Sequence, residues 1–391
     1  MQLQNSSILV GVKIHLLSGI YLHIPFCKST CSYCDFYSTG QIKLLDRVVN
    51  ALCKELIVRK GYFKETDSVE TIYFGGGTPS VLEEVHLHHL FETLNHLFDL
   101  SKCKEITLEA NPDDLSESFL DMLAHFPINR LSMGVQSLHD NELKLLNRRH
   151  SAQDAIEAVQ RAKQYVSNIS IDLMFGLPLQ TLDSWNETIE KSLALEVQHI
   201  SAYQLTIEKG TKLYRQRELG KVLPASDELS TEMYFMLVNK LTDAGFEQYE
   251  ISNFSLPSYA SKHNSAYWQE KSYLGIGPSA HSFNGISRQW NIANNMRYLI
   301  GIENGEPEIQ QEQLTEKDHY NEKIMTALRT KIGIDLSAFE VRFGNGQMQH
   351  LLKAADKYLS TGLLQLQENH LRLTSESFWI SDGIIADLMI D

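Results

Sequence analysis

Six β-rich runs alternate with helical patterns from residue 20 to about residue 206, and this alternation limits the fold more than any other feature of the chain. The runs are Ile20–Pro25, Thr71–Phe74, Glu105–Glu109, Arg130–Val135, Ile169–Phe175 and Ile200–Thr206. Between them, Ile42–Lys60, Val81–Phe98, Leu115–Phe126, Ala152–Val166 and Leu182–Leu195 carry apolar residues at helical spacing. Strand–helix alternation of this kind implies parallel strands with right-handed crossovers. Six such units make an open sheet or a partial (β/α) barrel.

The runs end in residues with chemistry to offer: a cysteine loop, Gly75-Gly-Gly-Thr78, Glu109-Ala-Asn-Pro112, Gln136-Ser137 and Asp172. In parallel α/β architectures ligands bind at the C-terminal edge of the strands. Taken singly, each has a plain structural reading as a turn, a solvated acid or a cap. Five at one edge point to one shared site.

The loop reads Cys27-Lys-Ser-Thr-Cys31-Ser-Tyr-Cys34 and follows the apolar run Ile20-Tyr-Leu-His-Ile-Pro-Phe26. Three thiolates on one tight loop fall one short of the four protein ligands that Zn and ordinary iron–sulfur clusters take. The spacing therefore suggests a [4Fe–4S] cube with one iron open for chemistry. The alternatives are a Zn site completed by His23 or a distant residue, and three reduced thiols. Cys53 and Cys103 stand apart and read as reduced packing residues.

With 391 residues the chain can bury a large core and is expected to hold two domains. Its 35 basic and 49 acidic residues leave a net charge of −14, which argues against a nucleic-acid partner. No apolar stretch approaches the ~20 residues of a membrane span. The start, MQLQNSSILVGVKIHLLSG, makes a poor signal peptide. The odd cysteine number suits a reducing cytoplasm.

Past a helical pattern at Asp227–Phe246, residues 247–310 read as irregular, rich in Asn, Gly, Ser, Tyr and Trp, with Gly305-Glu-Pro-Glu as a linker. Helical periodicity returns at Tyr320–Arg329, Leu336–Phe343 and Met348–Thr361, followed by a hairpin from Leu363 to Thr374. Helices followed by a hairpin suggest a small winged-helix-like domain. Basic residues are not enriched in it, so it reads as a packing or substrate-covering unit.

Tyr21-Leu-His-Ile-Pro-Phe-Cys27, the C-x3-C-x2-C loop and Gly75-Gly-Gly-Thr-Pro79 together resemble the radical S-adenosylmethionine superfamily. The likeness is to the branch holding oxygen-independent coproporphyrinogen III oxidases and HemW-type heme chaperones. Glu109-Ala-Asn-Pro112, Gly134-Val-Gln-Ser137, Asn147-Arg-Arg-His150 and Ile171-Asp-Leu-Met-Phe-Gly-Leu-Pro178 extend it over nearly the whole chain. The resemblance implies a partial (β/α)6 TIM-like barrel over 18–250 and a connecting region over 251–310. A winged-helix-like α+β domain would cover 311–391, and residues 1–17 would be a disordered extension.

It further implies that Cys27, Cys31 and Cys34 hold a [4Fe–4S] cluster whose fourth iron takes the amino and carboxylate groups of S-adenosylmethionine. The reduced cluster could then release methionine and a 5′-deoxyadenosyl radical, the hard chemistry belonging to the cofactor pair. By the same resemblance Tyr21 and Tyr33 border the cofactor, and Gly76, Gly77 and Thr78 let the backbone reach its methionine part. Glu109 would bond the ribose or a second cofactor. Gln136 and Asp172 would hold ribose or amino groups, and Arg148 would clamp a carboxylate.

Two departures divide the branch. The oxidases carry a fourth cysteine two residues beyond the third, where this chain has Phe36, and a longer N-terminal extension. The chaperones carry an H-N-x-x-Y-W motif, present here as His263-Asn-Ser-Ala-Tyr-Trp268. His263 would then be an axial heme ligand, with Tyr267 and Trp268 against the porphyrin face or a propionate. His281 is a secondary candidate. From residue types alone these are structural residues of a loop; the motif supports the heme reading. The implied function is a cytoplasmic heme chaperone that passes heme to acceptor proteins, without oxidase turnover. The cluster's part in it is open between structure, homodimer formation and a reaction. The rivals are the oxidase itself and a Zn-binding interaction protein.

Overall fold

The structure is a computed structural model that describes residues 17–63 and 68–390. The extension expected over residues 1–17 therefore lies almost wholly outside the described residues.

Strands β1 (Leu17–Ile24), β2 (Ser68–Gly76), β3 (Glu105–Ala110), β4 (Arg130–Gln136), β5 (Ile169–Phe175) and β6 (His199–Gln204) form where the six β-rich runs lie. They pair in parallel in chain order. Side chains alternate between the two faces of each strand. On β1, Ile20, Leu22 and Ile24 join the apolar core at 1% exposure or less, while Tyr21 faces a cavity. Burying each such aliphatic side chain contributes about 1.5–3 kcal/mol. Helices Leu45–Arg59, Glu84–Leu97, Glu117–Leu123, Ala152–Ala162 and Leu182–Ala194 fill the crossovers. Local caps set several of their starts: Ser116 accepts from Phe119 N, and Ser151 and Thr181 form capping boxes with Asp154 and Ser184.

The stretch 247–310 is not irregular. It supplies β7 (Glu247–Glu250), β8 (Asn253–Ser255), β9 (Tyr273–Ile276), β10 (His281–Phe283), β11 (Ser287–Asn291) and β12 (Ile309–Gln313). These extend the six strands to a twelve-stranded sheet, ordered β12-β11-β10-β9-β1-β2-β3-β4-β5-β6-β8-β7. β9 lies parallel to β1, a seventh parallel strand that sequence reading missed. Gly305 is a left-handed cap (φ 76°) that ends helix Asn295–Asn304 and turns the chain toward β12, rather than a free linker. The edges β7 and β12 do not pair, so the barrel is partial.

A buried ion pair fastens this segment to the first crossover helix. Arg59 lies 3.1 Å from Glu55 and donates to Gly275 O, Ser282 Oγ and Gln289 Oε1. Glu55 accepts from Gly277 N, Asn291 Nδ2 and Tyr298 OH. With its partners supplied on both sides, the pair is held by hydrogen bonds as well as charge.

The C-terminal unit packs helices Glu316–Leu328 and Ser381–Leu388 with a three-stranded sheet of Ile334–Asp335, Leu364–Gln367 and His370–Leu373. Its two middle helical patterns merge into Leu336–Ser360, broken at Gly344, where φ is 83°. Trp379 packs against Tyr234 and Phe175 of the barrel, with ring centroids 4.9 and 6.1 Å away.

Candidate functional site

A cavity of about 500 Å³ opens at the C-terminal ends of β1–β6. Cys27, Cys31 and Cys34, and all of Tyr21, Tyr33, Gly76, Gly77, Thr78, Glu109, Gln136, Arg148 and Asp172, line it. The alternation of strands and helices gathers them: most follow or end a strand on the same edge, while Tyr21 and Asp172 lie within β1 and β5.

Backbone bonds fix the cysteine loop. Cys27 N donates to Thr39 O (3.1 Å) and Thr39 N to Pro25 O (2.9 Å). Buried Ser32 bonds Leu146 O and Leu145 O, pinning the loop between its second and third cysteines. Gly77 crosses beneath this loop so closely that a Cβ there would lie 2.6 Å from Phe26 O. Gly76 (φ 108°) would bring a Cβ 2.6 Å from the His23 ring. The glycines are required by the close approach of the β2 end to the end of β1 and the residues after it, before any ligand is considered.

Thr78 Oγ1 and Arg148 Nη1 each donate to a sulfur, Cys27 Sγ and Cys31 Sγ, at 3.3 Å. Donors of this kind favour thiolate. Burial nevertheless pushes the Cys34 thiol up to about 11, so without metal it keeps its proton, which metal binding would release. Arg148 also donates to Asn111 Oδ1 (2.6 Å) and Gly134 O, while its buried Nε–H has no partner. A guanidinium in a cavity wall is the group that suits a carboxylate ligand. Among the described residues no three His, Cys, Asp or Glu side chains converge as a single ion requires. A cube spreads its ligands over three irons and makes no such demand. His23, the near candidate for a fourth Zn ligand, has both nitrogens engaged, with Tyr21 OH (3.1 Å) and Tyr37 O (2.9 Å). The cysteine loop thus fits the cluster better than Zn.

Glu109 accepts from Tyr73 OH (2.7 Å) and Gly76 N (3.2 Å). Burial, with the nearby Asp172 carboxylate adding to it, raises its carboxyl to about 7. Burial also raises Asp172, against the opposing pull of Ser201 and Arg130. Gln136 holds φ 70° at a register shift of β4, a strained conformation that ends the strand facing the cavity.

The His263 motif lies elsewhere. It forms helix Lys262–Trp268, which closes the opposite end of the barrel. Glu105, at the start of β3, accepts from Ser261 Oγ and from the backbone N–H of Lys262 and His263 at 2.8–3.1 Å, an anion at a helix N-terminus. His263 is 3% exposed, with Nδ1 bonded to Thr71 Oγ1 (2.8 Å) and Nε2 to Tyr267 OH (2.9 Å). Burial, aided by the Arg130 cation, lowers it to about 3. In this conformation neither nitrogen can take a metal. Trp268 keeps a buried Nε1–H that has no partner among the described residues. His281 is exposed on β10, stacked on Trp290 away from both sites. Cys53 and Cys103 are free thiols whose S–H groups donate to His89 O and Glu105 O.

Two family models match the chain: the radical SAM superfamily over residues 21–191 and the HemN C-terminal domain over 314–380. The "Heme chaperone HemW" of Lactococcus lactis subsp. lactis (strain IL1403) is 32% identical over 375 residues, 96% of this chain and 98% of that one. The chain belongs to the HemW family of radical SAM proteins. Another HemW, from Bacillus subtilis (strain 168), is 35% identical over 92% of this chain and 96% of its own length. A mitochondrial "Radical S-adenosyl methionine domain-containing protein 1" of Mus musculus is 34% identical over 95% and 87%. Among solved structures, coproporphyrinogen III oxidase (HemN) from Escherichia coli superposes with a TM-score of 0.83 over 96% of this chain and 90% of that one, at 23% identity. That likeness confirms the fold, a radical SAM barrel with a C-terminal domain.

Sequence reasoning overlooked Tyr73, Asn111 and Tyr203. Tyr73 joins Glu109 to the barrel interior, Asn111 joins Arg148 to Thr78 Oγ1 (3.2 Å), and Tyr203 lines the cavity. Asn111 sits inside a motif already singled out.

Proposed function

We propose that this HemW-family chain binds heme and hands it to acceptor proteins, working in the cytoplasm. Cys27, Cys31 and Cys34 would hold a [4Fe–4S] cluster, and the cavity behind them S-adenosylmethionine. The observation that carries the cofactor part is one cavity wall holding three cysteines beside Arg148, Glu109, Gln136 and Asp172. The heme part rests on the family and on the His263 motif. When bound, the cluster and S-adenosylmethionine supply one-electron chemistry. The chain itself orients the ligand through Glu109 and Arg148 and shields it within the barrel. For heme ligation, His263 must leave its place in the barrel floor, since both ring nitrogens are occupied there.

The oxidase reading lacks residue support. Phe36, where the oxidases carry cysteine, is 72% exposed at the cavity rim. The test is heme retention: chain loaded with one equivalent of heme and gel-filtered should keep it. The His263→Ala variant should bind at least tenfold more weakly with unchanged iron content. Equal retention would remove His263 from the heme site. Anaerobic incubation with reductant, S-adenosylmethionine and coproporphyrinogen III should leave the porphyrinogen intact, and protoporphyrinogen formation would reinstate the oxidase.

A further inference from the structure

A continuous column of rings joins the floor of the barrel to the cavity at its mouth. Tyr21 stacks on Tyr73 (6.0 Å, 25°), and Tyr73 stacks on His263 (5.0 Å, 24°). His263 meets Tyr267 edge-on (5.0 Å, 84°), and Tyr267 meets Tyr273 of β9 (4.6 Å, 88°). The strand period places these residues together. Gly19 and Tyr21 share one face of β1, and Thr71 and Tyr73 share one face of β2, so both strands turn alternate positions into the barrel.

The seat under Tyr73 is shaped for an imidazole. A Cβ at Gly19 would lie 3.1 Å from His263 Cε1, so the glycine leaves room for the ring. Thr71 and Tyr267 bond its two nitrogens. Above it, Tyr73 OH donates to Glu109 Oε1, and the other carboxylate oxygen takes Gly76 N. His263 therefore supports Tyr73, and Tyr73 sets the position of Glu109 in the cofactor cavity. Touching no cavity ligand, His263 is a positioning residue for that site.

The same imidazole is the one the heme reading requires. An iron ligand needs a free ring nitrogen, and here the ring is 3% exposed with none free. Binding heme must draw the helix Lys262–Trp268 outward, and the stack beneath Tyr73 goes with it. A ring contact of this type contributes about 0.5–1.5 kcal/mol beyond its buried area, and losing it frees Tyr73 to leave Glu109. The helix is also held from outside: Glu270, two residues past its end, pairs with Lys323 and Arg342 of the C-terminal unit, each at 3.0 Å.

We propose that heme and S-adenosylmethionine bind antagonistically, because His263 cannot both ligate heme and hold Tyr73 against Glu109. The inference rests on the functional reading above. Two sites and two states of one helix define the coupling. The seated state favours S-adenosylmethionine and the withdrawn state favours heme, so each ligand must weaken the other by the same factor.

The experiment uses the full chain, anaerobic and with its cluster reconstituted. S-adenosylmethionine affinity is measured by equilibrium dialysis with and without one equivalent of heme. Heme affinity is measured from the Soret band with and without saturating S-adenosylmethionine. Both dissociation constants should rise by a common factor, roughly tenfold within the usual 5–150-fold range of such couplings. Tyr73→Phe keeps the stack and removes the bond to Glu109, and should cut that factor severalfold with iron content unchanged. Bound heme with unaltered S-adenosylmethionine affinity overturns the antagonism while leaving the functional reading in place. No heme binding at all overturns both. Complete mutual exclusion, unaffected by Tyr73→Phe, would put heme in the cavity itself and overturn this route.

Discussion

Glu109 and His263 have their proton equilibria displaced in ways that make opposite demands on stability. Glu109 is raised to about 7 from the ordinary 4.5, chiefly by burial, so the folded chain keeps a proton that the unfolded chain gives up. Its contribution is present below pH 4.5 and is lost as pH rises through about 7. His263 is lowered to about 3 from 6.5, also chiefly by burial, so its contribution is present above pH 6.5 and is lost as pH falls toward 3. In the cluster-free protein, Glu109→Gln should therefore unfold at higher denaturant than the parent at pH 8 and lose that advantage near pH 4.5. The difference should reach about 2 kcal/mol, the full shift being reduced because the carboxylate opens partly onto the cavity. Parallel pH profiles for the two proteins would contradict a raised Glu109. At this scale the sequence displayed the cysteines, the glycines and Arg148 openly, since those residue types announce their chemistry. Tyr73 stayed hidden because a tyrosine inside a β-rich run looks like any core aromatic, and its role depends on Glu109, thirty-six residues away.

Among the elements, β1 to β6 were legible because each is a buried run of apolar and β-branched residues bounded by polar turns. The elements of 247–310 were not. β8 and β10 have three residues each, and β12 reads Ile-Gln-Gln-Glu-Gln. Their sheet membership is decided by the strands beside them, which local pattern cannot report. The helix Lys262–Trp268 has no apolar stripe. It forms because Ser261 caps it locally and Glu105, distant in sequence, accepts its first N–H groups. The Glu55–Arg59 network carries a prediction at this scale. Glu55→Ala leaves a buried guanidinium facing Gly275 O and Ser282 without its carboxylate, and should cost about 3–5 kcal/mol in urea unfolding. A loss under 1 kcal/mol would mean that the pair does not hold β9–β11 to the first helix.

For the whole molecule, the barrel holds the cysteine-lined cavity at one end of its lumen and the His263 helix at the other, and the C-terminal unit grips both the barrel wall, through Trp379, and the end of the floor helix, through Glu270. A change at either end can therefore reach the other along named contacts. The barrel followed by a C-terminal domain, and the gathering of the strand-end motifs around one cavity, were readable from the order of motifs. The separation of the His263 motif from that site was not, because sequence spacing says nothing about which end of a barrel a later helix closes. The central claim is that one chain carries both an iron–sulfur cluster and heme. The direct test is the anaerobic absorption spectrum of reconstituted protein before and after one equivalent of heme. A broad iron–sulfur band, joined by a shifted Soret band that His263→Ala abolishes while the cluster band persists, is the expected result. A normal cluster band with heme absorbing as it does free in buffer would contradict the account.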